Sequence, residues 1–175
     1  MSIIDTTYFI KDISVPTDNA NRVNKLQMYI DSAQKTYLLK ALGYELYKLF
    51  IGELPVPVSD RFTDILDGAD FTNYTTDLLD HWDGLANDEL ESFLAYFAYF
   101  EYTEGVFISE SSNGTTSSLF ENSDRVVPIS KQVSAYDKGV YQYNKLYDFM
   151  KANEDDYPEW DHTIIKPGEV NLFGI

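Results

Sequence analysis

Phe93-Leu94-Ala95-Tyr96-Phe97-Ala98-Tyr99-Phe100 carries an apolar or aromatic side chain at every position. Wound at 3.6 residues per turn, it has no polar face, and such a helix is stable only where it is covered on all sides, in a domain core or between subunits. Just before it, Asn87 and Asp88 offer side-chain oxygens to free amides and a negative charge to the positive end of the helix dipole, so the helix is expected to begin there. Glu101 and Glu104 interrupt the apolar run, which excludes reading it as a membrane span. Met1-Ser2-Ile3-Ile4-Asp5 has neither the basic nor the apolar region of a signal peptide, and the sequons at Asn73 and Asn113 are accordingly read as chance matches.

Two more long helices flank this one. Val23, Leu26, Ile30, Ala33, Tyr37 and Ala41 recur in steps of three and four, after a Pro16-Thr17-Asp18 turn in which Thr17 or Asp18 can cap the start. Gly43 is expected to stop that helix, with two further turns over residues 44–50 placing Leu46, Leu49 and Phe50 on one side before Pro55 and Pro57. From Ser130 onward, Tyr136, Val140, Tyr143, Tyr147 and Met150 mark one face of the third long helix. Residues 59–84 read as a polar, irregular connection, with a short helix over residues 60–66, an Asp67-Gly68 turn, and a small strand or hairpin at residues 71–76.

Ser, Thr, Asn and Gly dominate residues 109–118, and no helical pattern resumes before Pro128. A connection longer than about 12–15 residues is usually functional or disordered. Beyond Asn153 lies an acidic, Pro-containing tail ending Val170-Asn171-Leu172-Phe173-Gly174-Ile175, whose apolar end needs something to bind. The expected fold is all-α: a bundle of three main helices plus short helices, with a long loop, room for a small β-hairpin, and an extended C-terminal tail. Residues 1–152 form the domain, with a projecting loop at 109–128, and residues 153–175 form an extended docking tail.

A chain of 175 residues with 44% apolar and 15% aromatic content can bury a real core in one domain. The net charge of −16 argues against tight nucleic-acid binding, which rests on Lys and Arg displacing counterions, and the only arginines are Arg22, Arg61 and Arg125. With no cysteine there is no disulfide, thiolate nucleophile or cysteine-based zinc site. His81 and His162 have no metal-ligand spacing and no nucleophile motif around them, so both read as structural. Asp64, Asp67 and Asp70 lack the alternation and final Glu of a calcium loop, and the scattered glycines form no phosphate loop. Glu101 and Glu104, on adjacent turns, are the one carboxylate pair suited to acid and base roles if buried; the plainer reading is that they face solvent or a basic partner. No cofactor or metal is expected.

The order of several motifs resembles the head-tail connector (adaptor) proteins of tailed bacteriophages, of the type found in Bacteroidetes phages and prophages. The resemblance runs through Ile30-Asp31-Ser32-Ala33-Gln34 with Leu38, Leu42-Gly43 and Glu45-Leu46-Tyr47, then Arg61-Phe62 with Ile65-Leu66-Asp67-Gly68, and Trp82-Asp83-Gly84-Leu85. It continues through Leu94-Ala95-Tyr96-Phe97 with Tyr99, the Asn-Gly-Thr-Thr loop at residues 113–116, and the Asn171-Leu172-Phe173-Gly174-Ile175 end. Residues 69–77 depart from the family pattern, reading less clearly as a glycine-turned hairpin.

The resemblance implies a non-enzymatic virion protein, made in the bacterial cytoplasm, whose copies form a ring, commonly dodecameric, at the neck of the particle. That ring would sit beneath the portal, meet the next tail or stopper protein, and let genomic DNA pass through without specific binding or any membrane contact. Interface roles are then expected for Asn113, Gly114, Leu119, Phe120 and Arg125 in the loop, and for Tyr157, Trp160, Leu172, Phe173 and Ile175 in the tail. Part of the negative charge is expected to line the channel. Two rival classes share some of these features: an acidic protein that mimics DNA to inhibit an enzyme, and a hydrolase using Glu101 and Glu104.

Overall fold

A computed structural model describes residues 2–57, 59–109, 128–161 and 167. The first helix, α1 (Ala20–Ala33), is capped by Asn19, whose side chain accepts from the Arg22 backbone N–H at 2.9 Å. Asp18, an expected cap, instead pairs with the Arg22 guanidinium at 2.8 Å. The helix does not stop at Ala33. It widens into a π-helical turn, Gln34–Leu38, and resumes as α2 (Leu39–Leu42). Gly43 ends it as expected, at φ +75°, where a β-carbon would fall 2.9 Å from Asp161 Cβ. In α3 (Tyr44–Glu53), Leu46 and Phe50 are buried while Leu49 faces outward, so the expected three-residue face is really a pair four residues apart.

The connecting region is more regular than its composition implies. A short helix, α4 (Asp60–Asp67), leads into β1 (Ala69–Thr72), which pairs antiparallel with β2 (Leu79–Trp82). The register sets Phe71 opposite Asp80 and Ala69 opposite Trp82, so these four share the inner face, while Asp70, Thr72, Leu79 and His81 share the outer one. Among the described residues the chain is therefore helix-rich with one small antiparallel sheet, in keeping with a helical fold that carries a small hairpin in this region.

The aromatic helix, α5 (Phe93–Ser109), starts later than expected. Asn87 does not cap it. Its side chain donates to the Gly84 and Glu91 carbonyls and accepts from the Glu91 N–H, closing a loop in which Leu90 takes φ +57°. Every side chain from Phe93 to Tyr99 is buried. The main cover is α6 (Pro128–Ala152), which runs antiparallel to α5, with Phe93 against Tyr143 at 5.5 Å and Phe100 against Tyr136 at 5.2 Å between ring centroids. On the other side the π-helical turn stacks Tyr37 on Phe97 at 4.1 Å, with α1 alongside. Burial of side chains this large is worth about 1.5–3 kcal/mol each. It outweighs the indifferent helix propensity of Phe and Tyr.

After α6 the chain turns back through a short 3-10 turn, Glu154–Asp156, and plugs its own body. Tyr157 and Trp160 are 1% and 2% exposed. Tyr157 donates its hydroxyl to the Arg61 carbonyl at 2.8 Å, and the Trp160 indole donates to the Ala41 carbonyl at 3.0 Å. The expectation that these two residues dock on another chain is thereby corrected: their apolar surface and polar tips are satisfied within their own chain. The packed body accordingly continues past residue 152. No helix among the described residues is long and apolar enough to cross a membrane.

Candidate interaction surface

Of the residues expected at interfaces, Asn113, Gly114, Leu119, Phe120, Arg125, Leu172, Phe173 and Ile175 lie outside the described residues, as does His162. What remains is the surface of the body. Among the described residues the tip of the hairpin exposes three large apolar side chains, Tyr74, Leu78 and Leu79, at 51%, 66% and 77%. The hairpin is held against α6 by an ion pair from Lys145 to Asp80, by Phe71 on Phe149 at 5.8 Å, and by the Tyr74 hydroxyl 3.4 Å from Asp148. Tyr141, one turn before Lys145 on α6, is also exposed.

The carboxylates considered for acid and base chemistry are separated by burial. Glu101 is half-buried and accepts from Tyr37 and Ser32; desolvation pushes its carboxyl up, and the nearby Glu104 charge adds to this. Glu104 itself is exposed. Burial and the Glu101 charge in turn hold the Tyr37 hydroxyl firmly protonated. The arrangement is a phenol and a carboxylate bracing the π-helical turn against α5. His81 lies on the outer face of the hairpin, its Nδ1 2.7 Å from Asp70 and its Nε2 4.0 Å from Asp83.

Two clefts of similar size lie near opposite ends of α6. One, of about 340 Å³, is lined by Lys11, Asp12 and Ile13 from the N-terminal segment and by Ser130, Lys131, Ser134, Ala135 and Lys138 from the start of α6. Lys11 pairs with Glu91 at 3.0 Å, and Lys138 pairs with Asp12. The other, of about 360 Å³, is lined by Asp60, Arg61, Asp64, Ala69 and Asp70, and by Phe149, Asn153, Asp156 and Tyr157. Arg61 is engaged by Glu159, with both guanidinium nitrogens on the carboxylate, at 2.8 and 3.2 Å, which holds that carboxyl low. Burial pushes the Asp64 carboxyl up, and the charges of Asp60 and Asp156 push in the same direction. Among the described residues no group of His, Asp and Glu is placed to hold a metal ion.

Neither cleft is legible in the sequence. Lys11 and Lys131 stand 120 positions apart, and Asp60 and Asp156, on the two sides of the acidic groove, stand 96 apart, so no local pattern links them. Of Asp64, Asp67 and Asp70, whose run lacks the pattern of a calcium loop, the fold places Asp64 and Asp70, without Asp67, beside Asp60 and Asp156 in a carboxylate-rich groove. Comparison with protein-family models, with curated proteins and with solved structures finds no match to this chain.

Proposed function

We propose that this chain is a structural virion protein, a head-tail connector whose copies form a ring between portal and tail and surround the passage of the genome. The observation that carries the reading is that motifs of the series resembling that family fit together as the joints of one body. Ile65-Leu66-Asp67-Gly68 and Trp82-Asp83-Gly84-Leu85 close on each other: Leu85 and Ala86 donate backbone N–H groups to the Ile65 and Leu66 carbonyls, and the Trp82 indole donates to Ile65. Gln34, the end of the I-x-x-A-Q element, is buried and accepts from the Ile3 N–H at 2.7 Å, tying down the N-terminal segment. Arg61 grips Glu159 and the Asp156 carbonyl, holding the C-terminal turn. These contacts tie the motifs to one another within one body, which supports treating them as a linked signature.

The surface is consistent with that role. A ring subunit presents one patch to a different patch on its neighbour, and the exposed tip of the hairpin offers apolar area for a protein partner. The excess of carboxylates suits a wall that DNA slides past, since it repels the phosphate backbone. The test is localisation: the chain, tagged in its native phage or prophage, is followed into purified particles by cryo-electron microscopy. Density for a ring of this subunit at the head-tail vertex is the expected result. Particles that assemble complete necks without the chain overturn the reading.

A further inference from the structure

The apolar tip of the hairpin lies close to the point where the chain runs on past Asp161. Tyr74, Leu78 and Leu79 are exposed at the tip, and the Tyr74 hydroxyl donates to Asp148 at 3.4 Å. On another flank of the same turn of α6, the Trp160 ring packs on Tyr147 at 5.2 Å, and Asp161 lies against Gly43. Tyr147 and Asp148 are successive residues of one helix, so tip and exit point are about one helix width apart, about 10–12 Å. Asp161 is exposed, and Pro167, six positions on, is partly buried again.

The composition of the segment matches the tip. Over residues 162–175 the formal charges are those of Lys166 and Glu169, which cancel, in a chain of net charge −16. Val170-Asn171-Leu172-Phe173-Gly174-Ile175 then brings four large apolar side chains and no charge. The hairpin also has backbone groups to offer. The Asn73 N–H bonds to the Leu78 carbonyl, so by the antiparallel alternation the next pair, Thr72 and Leu79, turns its N–H and carbonyl groups outward to the two edges. Exposed apolar side chains beside outward backbone groups suit an extended apolar peptide that adds along a strand edge.

We propose that residues 170–175 fold back onto their own body and cover Tyr74, Leu78 and Leu79, lying along the Leu79 edge of the hairpin. Residues 162–169 are the tether. A flexible tether of eight residues spans about 15 Å, close to the separation of exit point and tip, and presents its segment at an effective concentration on the order of millimolar. At micromolar protein the same segment of a second copy is about a thousandfold more dilute, and copies this acidic repel each other on approach. The chain's own segment is therefore the occupant. The contact belongs to the single chain and goes beyond the connector reading: a protein partner that uses the tip has to displace the segment first, so the cover withholds apolar surface until assembly.

The chain has no cysteine, so an introduced pair is unique. Thr76→Cys, in the exposed turn at the tip, is combined with Asn171→Cys. The reference pair is Ile129→Cys with Asn171→Cys, its first site exposed near the start of α6, about 27 Å along the helix from Tyr147. Circular dichroism establishes that each full-length variant is folded. Disulfide formation is measured at equilibrium in glutathione buffers, with heavy-isotope and light copies mixed so that links within and between molecules are separated by mass. The tip pair should link within one molecule at an effective concentration at least tenfold above the reference pair. Adding Leu78→Ser and Leu79→Ser should remove that excess. Independently, Leu172→Ser with Phe173→Ser in the cysteine-free chain should increase binding of an apolar fluorescent dye, because the tip is uncovered.

Equal effective concentrations for the two pairs overturn the proposal, as does an excess that survives the serine substitutions. Tip links formed mainly between molecules overturn it in favour of a second copy, and dye binding that stays level or falls overturns it as well. The outcome is separable from the connector reading. A neck ring built from a chain without this link leaves that reading standing and removes the contact, while the link in a chain missing from particles does the opposite.

Discussion

Between Phe93 and Tyr99 every side chain of α5 is buried, and so are Ile65, Trp82 and Leu85 where α4 meets the hairpin, yet the two regions are held by different physics. In α5 the cohesion is hydrocarbon and ring contact. Phe97 alone meets Tyr37, Phe93, Tyr136 and Tyr143 within 6.5 Å, centroid to centroid. In the joint it is backbone. Two glycines at φ +99° and +88° let two chain segments touch so closely that a β-carbon on Gly68 would lie 2.3 Å from the Trp82 carbonyl oxygen, and one on Gly84 2.5 Å from the Asp67 carbonyl carbon. Hydrophobic packing tolerates exchange of one shape for another of like volume. Backbone approach tolerates no side chain at all.

The sharpest break in this comparison is at Phe97. Replacing it with Ala empties the centre of four rings and should cost about 3–5 kcal/mol in urea unfolding. Phe97→Leu, which keeps most of the volume, should recover more than half of that. The joint should respond in the opposite way to size. Gly68→Ala adds only a methyl group, yet φ +99° with ψ 160° is a conformation reserved for glycine, costing about 1–3 kcal/mol before the clash with Trp82 is counted. Equal denaturation midpoints for Gly68→Ala and the native protein would show that the two segments separate freely, and the contrast with α5 would fail.

That contrast also marks what the amino-acid sequence makes legible. α5 is readable because seven successive buried residues leave no alternative to an enclosed helix, and the stripes of α1 and α6 follow from period alone. The hairpin is harder. Its strands have only four residues each, and Leu79 and Asp70 point outward, so no alternation announces which face packs. The start of α5 was misplaced because an Asn side chain caps a helix or bridges a loop with the same atoms, and only the neighbouring carbonyls of Gly84 and Glu91 decide. Tyr157 and Trp160 read as sticky tail residues because their acceptors, on Arg61 and Ala41, lie 96 and 119 positions away. The two clefts near the ends of α6 escape the sequence for the same reason: a surface cleft has no period.

A smaller change sharpens the joint further. The Trp82 indole donates to the Ile65 carbonyl at 3.1 Å in a site where Trp82 is 2% exposed. Trp82→Phe keeps most of the aromatic area and leaves that carbonyl accepting from the Leu85 N–H alone, so a loss of about 0.5–1.5 kcal/mol is expected. Hydrogen exchange should localise it: amides of Leu85 and Ala86, which bond across the joint, should lose protection while those of residues 95–99 keep theirs. Uniform loss across both regions would mean that they unfold as one unit.

The smallest effect expected is one of pH, at the border between the two kinds of packing, where Glu101 of α5 meets Tyr37 of the π-helical turn. Desolvation raises the Glu101 carboxyl above its ordinary range, against the opposing pull of hydrogen bonds from Tyr37 and Ser32 and the charge of Lys40. The folded chain therefore holds this proton more tightly than the unfolded chain does. The stability it contributes is fully present below the unfolded carboxyl value, about 4.3, and is lost as pH rises through the raised folded value. Other carboxylates act in the opposite sense, since Asp12, Asp80 and Glu159 are held low by Lys138, Lys145 and Arg61 and stabilise the fold as pH rises. The Glu101 contribution must accordingly be read as a difference. Glu101→Gln keeps an oxygen to accept from Tyr37 and Ser32 and carries no charge, so its urea midpoint should match the native one near about pH 4 and exceed it slightly near about pH 8. A variant less stable than the native chain at the higher pH would mean that the charge itself, through Tyr37, Ser32 and Lys40, holds the turn to α5, and that this border belongs with the polar joint and not with the aromatic core.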